Sequence, residues 1–173
     1  MAVSWMEWRR LRGANLFGFV GCSALLAIAY YLELVMGMEP CPLCMLQRVA
    51  MFALGLVFLL AVVHGPRGAG RFVYAGLVLA TAGAGGAIAT RHLWLQSLPP
   101  EQVPACGPGL EFMLGSYPLH DVLLMVLEGS GDCAEVETLF GVTLPAWTLL
   151  AFVVIGLFGI WVNAKPRERL IWS

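Results

Sequence analysis

Residues 39 to 48 read Glu-Pro-Cys-Pro-Leu-Cys-Met-Leu-Gln-Arg, which puts Cys41 and Cys44 in a C-x-x-C with Arg48 four residues further on. So small a loop gains little from a disulfide staple, and the motif is commoner in thiol redox chemistry and metal binding. Pro42 suits the first turn of a helix, where its missing N–H does no harm. From there Cys41, Cys44 and Arg48 follow i, i+3, i+7 and share one helical face. A helix N-terminus and a nearby guanidinium both favour a thiolate over a thiol. The plainer role for Arg48 is a snorkelling side chain that marks a membrane interface. Two more cysteines, Cys106 in "PACGPG" and Cys133 in "GSGDCAE", lie 27 positions apart. A bond between them would be worth about 3–4 kcal/mol of loop order, so a structural staple is the plain alternative to chemistry. Four cysteines can also hold zinc, but structural zinc usually shows two C-x-x-C-like pairs, and the Cys106/Cys133 spacing is not one, so no metal is expected. Cys22, in an apolar run, reads as an inert small hydrophobe.

The elements that must carry these residues are membrane helices. Of the 173 residues 60% are hydrophobic and 12% charged, with a mean hydropathy of +0.81, whereas a soluble domain carries about 25% charged residues. Four runs reach the roughly 20 residues needed to cross a bilayer: about 15–36, 46–63, 72–90 and 144–163. The predicted fold is therefore all-α, a single integral-membrane four-helix bundle over 1–173, with outer loops at about 37–45 and 91–143. The first run follows Arg9, Arg10 and Arg12 but continues through Tyr30 to Met36, too long for the apolar region of a cleaved signal peptide. Arg9, Arg10, Arg12, Arg67, Arg71, Lys165, Arg167 and Arg169 fall on one side of alternating spans, which the positive-inside bias makes cytoplasmic. Both termini are then cytoplasmic, and the two cysteine pairs face the opposite side. In a bacterium that side is the periplasm, where disulfides persist. The net charge of −1 and the lack of a basic stripe argue against nucleic acid as a partner.

Within the long loop, Leu119, Val122, Leu123, Val126 and Leu127 form an apolar stripe between Pro118 and Gly129. Pro118 to Glu128 is too short to span and suits a helix lying in the membrane interface, or one packed on the outer ends of the spans. Residues 92–143 hold seven acidic side chains and no Lys or Arg, which is ordinary solvation or a face that steers a basic partner. Gly83, Gly85 and Gly86 predict the bundle's tightest helix contact. Glu33, Arg91 and His92 sit near the outer span ends, as interface anchors would.

Taken together, "CPLCMLQR" at the second span, "PACGPG", and "GSGDCAE" leading to "LPAW" at the fourth resemble the DsbB family of quinone-dependent thiol oxidases of the bacterial inner membrane. The resemblance covers nearly the whole chain. It implies that Cys106 and Cys133 form a disulfide that oxidises a periplasmic DsbA-like thiol oxidase, whose thiolate attacks Cys106. Cys133 then passes the electrons to the Cys41–Cys44 pair by attacking Cys41. Cys44 hands them to a quinone, ubiquinone or menaquinone, of the membrane pool, with Arg48 near a quinone oxygen. From its place near the outer end of the third span, His92 is a further candidate for hydrogen bonding that oxygen. A DsbA-like oxidant at about −120 mV needs an acceptor of higher potential, which glutathione is not. The vitamin K epoxide reductase type places its membrane C-x-x-C late in the bundle, whereas here it opens the second span. The non-enzyme alternative is a metal-binding or quinone-anchoring membrane subunit with structural disulfides, in which Cys41 and Cys44 never change redox state.

Overall fold

The computed structural model describes residues 5–38, 40–66, 68–105, 107, 110–136 and 138–164. Cys106 lies outside the described residues, as do Glu39, Arg67, Glu137 and the C-terminal basic residues Lys165, Arg167 and Arg169. The apolar runs form four long helices: α1 (Trp5–Met36), α2 (Pro42–His64), α3 (Gly70–Gln96) and α6 (Leu144–Ala164), each long and apolar enough to cross a membrane. Between α3 and α6 lie two short helices, α4 (Leu110–Ser116) and α5 (Leu119–Glu128). The four long helices close a ring in which α1 meets α2, α2 meets α3, α3 meets α6, and α6 returns to α1.

Lipid offers no hydrophobic drive between helices, so close steric fit has to hold the bundle. The Phe58 ring sits between Gly18 of α1 and Gly159 of α6, where a Cβ would come within 2.7 Å and 2.6 Å of ring carbons. The predicted small-residue contact is split by helical geometry. Gly85 presses against the Phe152 ring and Gly86 lies near Leu149, whereas a Cβ at Gly83 would meet open space. Large apolar side chains such as Phe17, Phe52, Leu157 and Trp161 point outward, the arrangement expected of a protein whose solvent is hydrocarbon. At the end of the bundle remote from the cysteines, Asn15 of α1 and Asn163 of α6 pair their amides, with Asn163 Nδ2 donating to Asn15 Oδ1 at 3.1 Å.

Three features differ from the sequence expectation. Helix α3 runs on to Gln96, so Arg91 and His92 belong to a helix and not to the outer loop. This is possible because each polar side chain there finds a partner in the loop or in α2. A two-stranded hairpin, β1 (Thr138–Leu139) with β2 (Val142–Thr143), leads into α6. Its turn residues Phe140 and Gly141 both have positive φ, 55° and 78°, the pattern of tight hairpin turns. Helix α4 had no counterpart in the sequence reading. Helix α5 starts and stops at Pro118 and Gly129, and buries Val122 and Val126 beside Leu43, Leu95 and Met113 while Leu119 and Leu124 stay exposed.

Candidate functional site

Cys41 is the N-cap of α2. Its backbone is extended, its Sγ accepts the Cys44 N–H at 3.3 Å, and Pro42 opens the helix behind it. The cap satisfies one of the N–H groups that every helix start leaves over, and it brings the two sulfurs to 3.0 Å from one another. His92 of α3 is 2% exposed and faces this pair, with Nε2 3.8 Å from Cys41 Sγ and Nδ1 3.9 Å from Cys44 Sγ. Cys133, fully buried in a turn of 3-10 helix over Gly131–Ala134, shares a core cluster with Leu43 against which Cys41 packs, and its Sγ lies 3.8 Å from Ser130 Oγ. The neighbouring Cys41 thiol, followed by burial, pushes the Cys133 thiol well above its ordinary range.

The loop that carries Cys133 is moored by α3. Arg91 donates to the carbonyls of Leu127 (3.2 Å) and Glu128 (3.0 Å) at the end of α5, and Gln96 donates to Glu135 O at 3.0 Å. Further along, the N–H of Gly131 donates to Ala105 O at 3.3 Å, and Gly107 packs on Ser130. A hydrogen-bonded string also holds His92 from behind. The Gln47 amide lies 3.2 Å from His92 Nδ1, and Thr148 of α6 lies 2.8 Å from Gln47 Oε1. Gln47 and Thr148 were missed in the sequence because each is one polar side chain in an apolar run. The available signal was that an amide inside a span needs a partner.

On its other flank Cys44 lines a cavity between α1, α2 and α6 that encloses about 970 Å³ of empty space, including the part open to the outside. The walls are apolar, among them Leu25, Leu32, Met51, Trp147 and Phe152, and the polar groups Glu33, Gln47, Arg48 and Thr148 gather near Cys44. Arg48 shares this cavity with Cys44. It is ion-paired to Glu33 of α1, donates to Ala29 O at 3.3 Å, and lies 5.0 Å from the centre of the Tyr30 ring. His92 does not line the large cavity. It lines a smaller cleft with Cys41, Cys44, Gln96, Asp132 and Glu135. Of the predicted residues, the structure thus gathers Cys41, Cys44, Cys133 and His92 at one end of the bundle and sets Arg48 one turn of α2 beyond Cys44, in the wall of the same cavity, while Cys106 is outside the described residues.

Fold and site together define a four-helix membrane protein with a thiol cluster at one end of its bundle. The sequence pattern of the family described as "Disulfide bond formation protein DsbB" matches residues 11–162. The chain belongs to this family. It is 53% identical over 156 residues to "Disulfide bond formation protein B" of Marinobacter nauticus, covering 88% of this chain and 93% of that one. It is 50% identical over 162 residues to the protein of that name in Hahella chejuensis (93% and 97% covered), and 51% identical over 154 residues to that of Nitrosococcus oceani (87% and 90%). Membership makes the chain a multi-pass membrane protein of disulfide bond formation, and so an oxidoreductase of thiols.

Proposed function

We propose that the protein reoxidises a periplasmic DsbA-like dithiol oxidase and delivers the electrons to a quinone of the bacterial inner membrane. The observation that carries this reading is that the sulfurs lead from the long loop to the cavity: Cys133 sits in a buried cluster against which Cys41 packs, Cys41 Sγ lies 3.0 Å from Cys44 Sγ, and Cys44 lines the cavity that holds Arg48. In the proposed relay the partner's thiolate attacks Cys106 of a Cys106–Cys133 disulfide and releases Cys133 as the leaving thiolate. The contacts of Ala105 and Gly107 with Gly131 and Ser130 support that pairing, because they hold the neighbours of both cysteines together. The partner's second thiol then resolves the mixed disulfide and leaves oxidised, with Cys106 reduced. Cys133 attacks Cys41 of a Cys41–Cys44 disulfide, the S–S bond breaks, and Cys44 departs as a thiolate facing the cavity. Cys106 displaces Cys41 from Cys133 and restores the first disulfide.

The cavity fits a quinone. Apolar walls suit a ring and an isoprenoid tail, and Arg48 is a fixed cationic donor for a ring oxygen. The quinone supplies a two-electron acceptor that takes two protons. The chain's part is to present the Cys44 thiolate, keep water from it, and hold Arg48 in place through Glu33. The excess of Arg at the N-terminus and the acidic outer loop support cytoplasmic termini and periplasmic cysteines. The test is a count of free thiols by alkylation of the denatured protein, taken from membranes with and without quinone. The expected count is one with quinone (Cys22) and a higher number without it. A count indifferent to quinone overturns the relay. In purified protein, Arg48→Met should raise the KM for quinone about tenfold or more, the loss of one charge-assisted hydrogen bond of roughly 1.5–3 kcal/mol.

A further inference from the structure

We infer that the reduced site is also a binding site for a thiophilic d10 cation of the zinc class, held by Cys41, Cys44 and His92, and that the site exists only in the dithiol state. The Cys41 and Cys44 sulfurs and one His92 ring nitrogen all lie within 4.8 Å of one another. Tetrahedral zinc with Zn–S of about 2.3 Å and Zn–N of about 2.0 Å sets its ligand atoms roughly 3.5–3.8 Å apart. The Cys41 Sγ to His92 Nε2 distance is already 3.8 Å, and the two sulfurs, at 3.0 Å, need only a small opening.

The surroundings are those of a cation site. The sulfurs and His92 line the small cleft, and Asp132 and Glu135 at the same cleft give it the charge that draws a cation in. A metal-bound histidine needs its other ring nitrogen fixed. Here that nitrogen is Nδ1, 3.2 Å from the Gln47 amide. Metal at Nε2 makes Nδ1 a donor, so binding turns the Gln47 amide over, bringing to Nδ1 the oxygen that now accepts from Thr148 Oγ1 at 2.8 Å, while Thr148 keeps Pro145 O at 2.9 Å. The Cys106/Cys133 spacing argued against zinc, but the third donor comes from α3 and not from a second knuckle. Binding exchanges protons for metal without any redox change: two thiols lose two protons and form two metal–sulfur bonds. A Cys41–Cys44 disulfide has no thiolate to offer, so oxidation abolishes the site and a bound cation holds the pair reduced.

The inference shares its cysteines with the proposed relay but is measured without quinone or partner, so each can fail alone. Full-length protein in detergent is reduced, freed of reductant under anaerobic conditions, and titrated with zinc chloride against a chromophoric zinc chelator. The expected result is one zinc per chain for the dithiol form, none for the oxidised form, and at least a tenfold weaker affinity for His92→Ala. Cys22→Ala should bind as the parent does. Equal binding by the oxidised form, or undiminished binding by His92→Ala, overturns the inference. Should His92→Ala not fold, the imidazole resonances of His92 in the parent decide: a shift with one equivalent of zinc is expected, and unmoved resonances refute the assignment.

Discussion

Cys133 is a buried thiol packed beside Cys41, and its reactivity should show it. The neighbouring Cys41 thiol and burial both favour the neutral form, so the pKa of Cys133 lies above the ordinary 9.0. For a raised thiol the contribution to stability is fully present below the ordinary value. It is lost progressively as pH climbs from the ordinary value to the higher folded one. In fully reduced protein, iodoacetamide mapping between about pH 7 and 10 should therefore find Cys133 alkylated more slowly than Cys41 or Cys44. Cys41→Ala removes the larger of the two causes and should speed alkylation of Cys133. A Cys133 that labels like a free thiol in the parent would contradict the geometry. At this scale the sequence singled out Cys41 and Cys44 by their spacing, yet could not place His92 beside them. That contact joins residues about fifty positions apart on two helices, and nothing local in the α3 sequence announces it.

Among the elements, the bundle depends on where a missing Cβ is used. A methyl at Gly159 would meet Phe58 at 2.6 Å and Val78 at 2.8 Å, with neither neighbour free to retreat from the core. Gly159→Ala should cost about 1–3 kcal/mol through overpacking. Gly83→Ala, in the same kind of helix but facing open space, should be neutral or gain up to about 1 kcal/mol of helix propensity. Thermal unfolding of the detergent-solubilised protein reads both, and equal effects would refute the packing account. The sequence could show that α3 is rich in glycine but not which glycine faces α6, since Gly83, Gly85 and Gly86 fall in different directions around the helix. It revealed the four long helices and α5 because hydrophobic length, Pro118 and Gly129 are local signals. It hid the last turns of α3, because Arg91, His92 and Gln96 look like loop residues until their partners are known. The hairpin was equally hidden. "TLFGVT" is a pair of two-residue strands around a Phe-Gly turn, too short for alternation to register.

For the whole molecule, the charge distribution and the bilayer together set which end meets which compartment. In a cysteine-free background, Ser116→Cys should react with a membrane-impermeant maleimide in intact spheroplasts, whereas Ser4→Cys should react only after permeabilisation. The reverse pattern would invert the proposed topology. One end of the molecule is closed by the Asn15–Asn163 pair and the other by a loop pinned to α3. That pinning has a bearing on how the chain can change over time. Arg91 and Gln96 grip main-chain carbonyls at Leu127, Glu128 and Glu135, so the hold does not depend on the side chains at those positions. Substitutions there can alter the surface shown to a partner while Cys133 stays moored beside Cys41. Gly129 is less free, because its φ of 86° and the closeness of Leu95 leave no room for a side chain. Partner choice can therefore drift in the loop while the sulfur cluster keeps its geometry, with α3 as the fixed post.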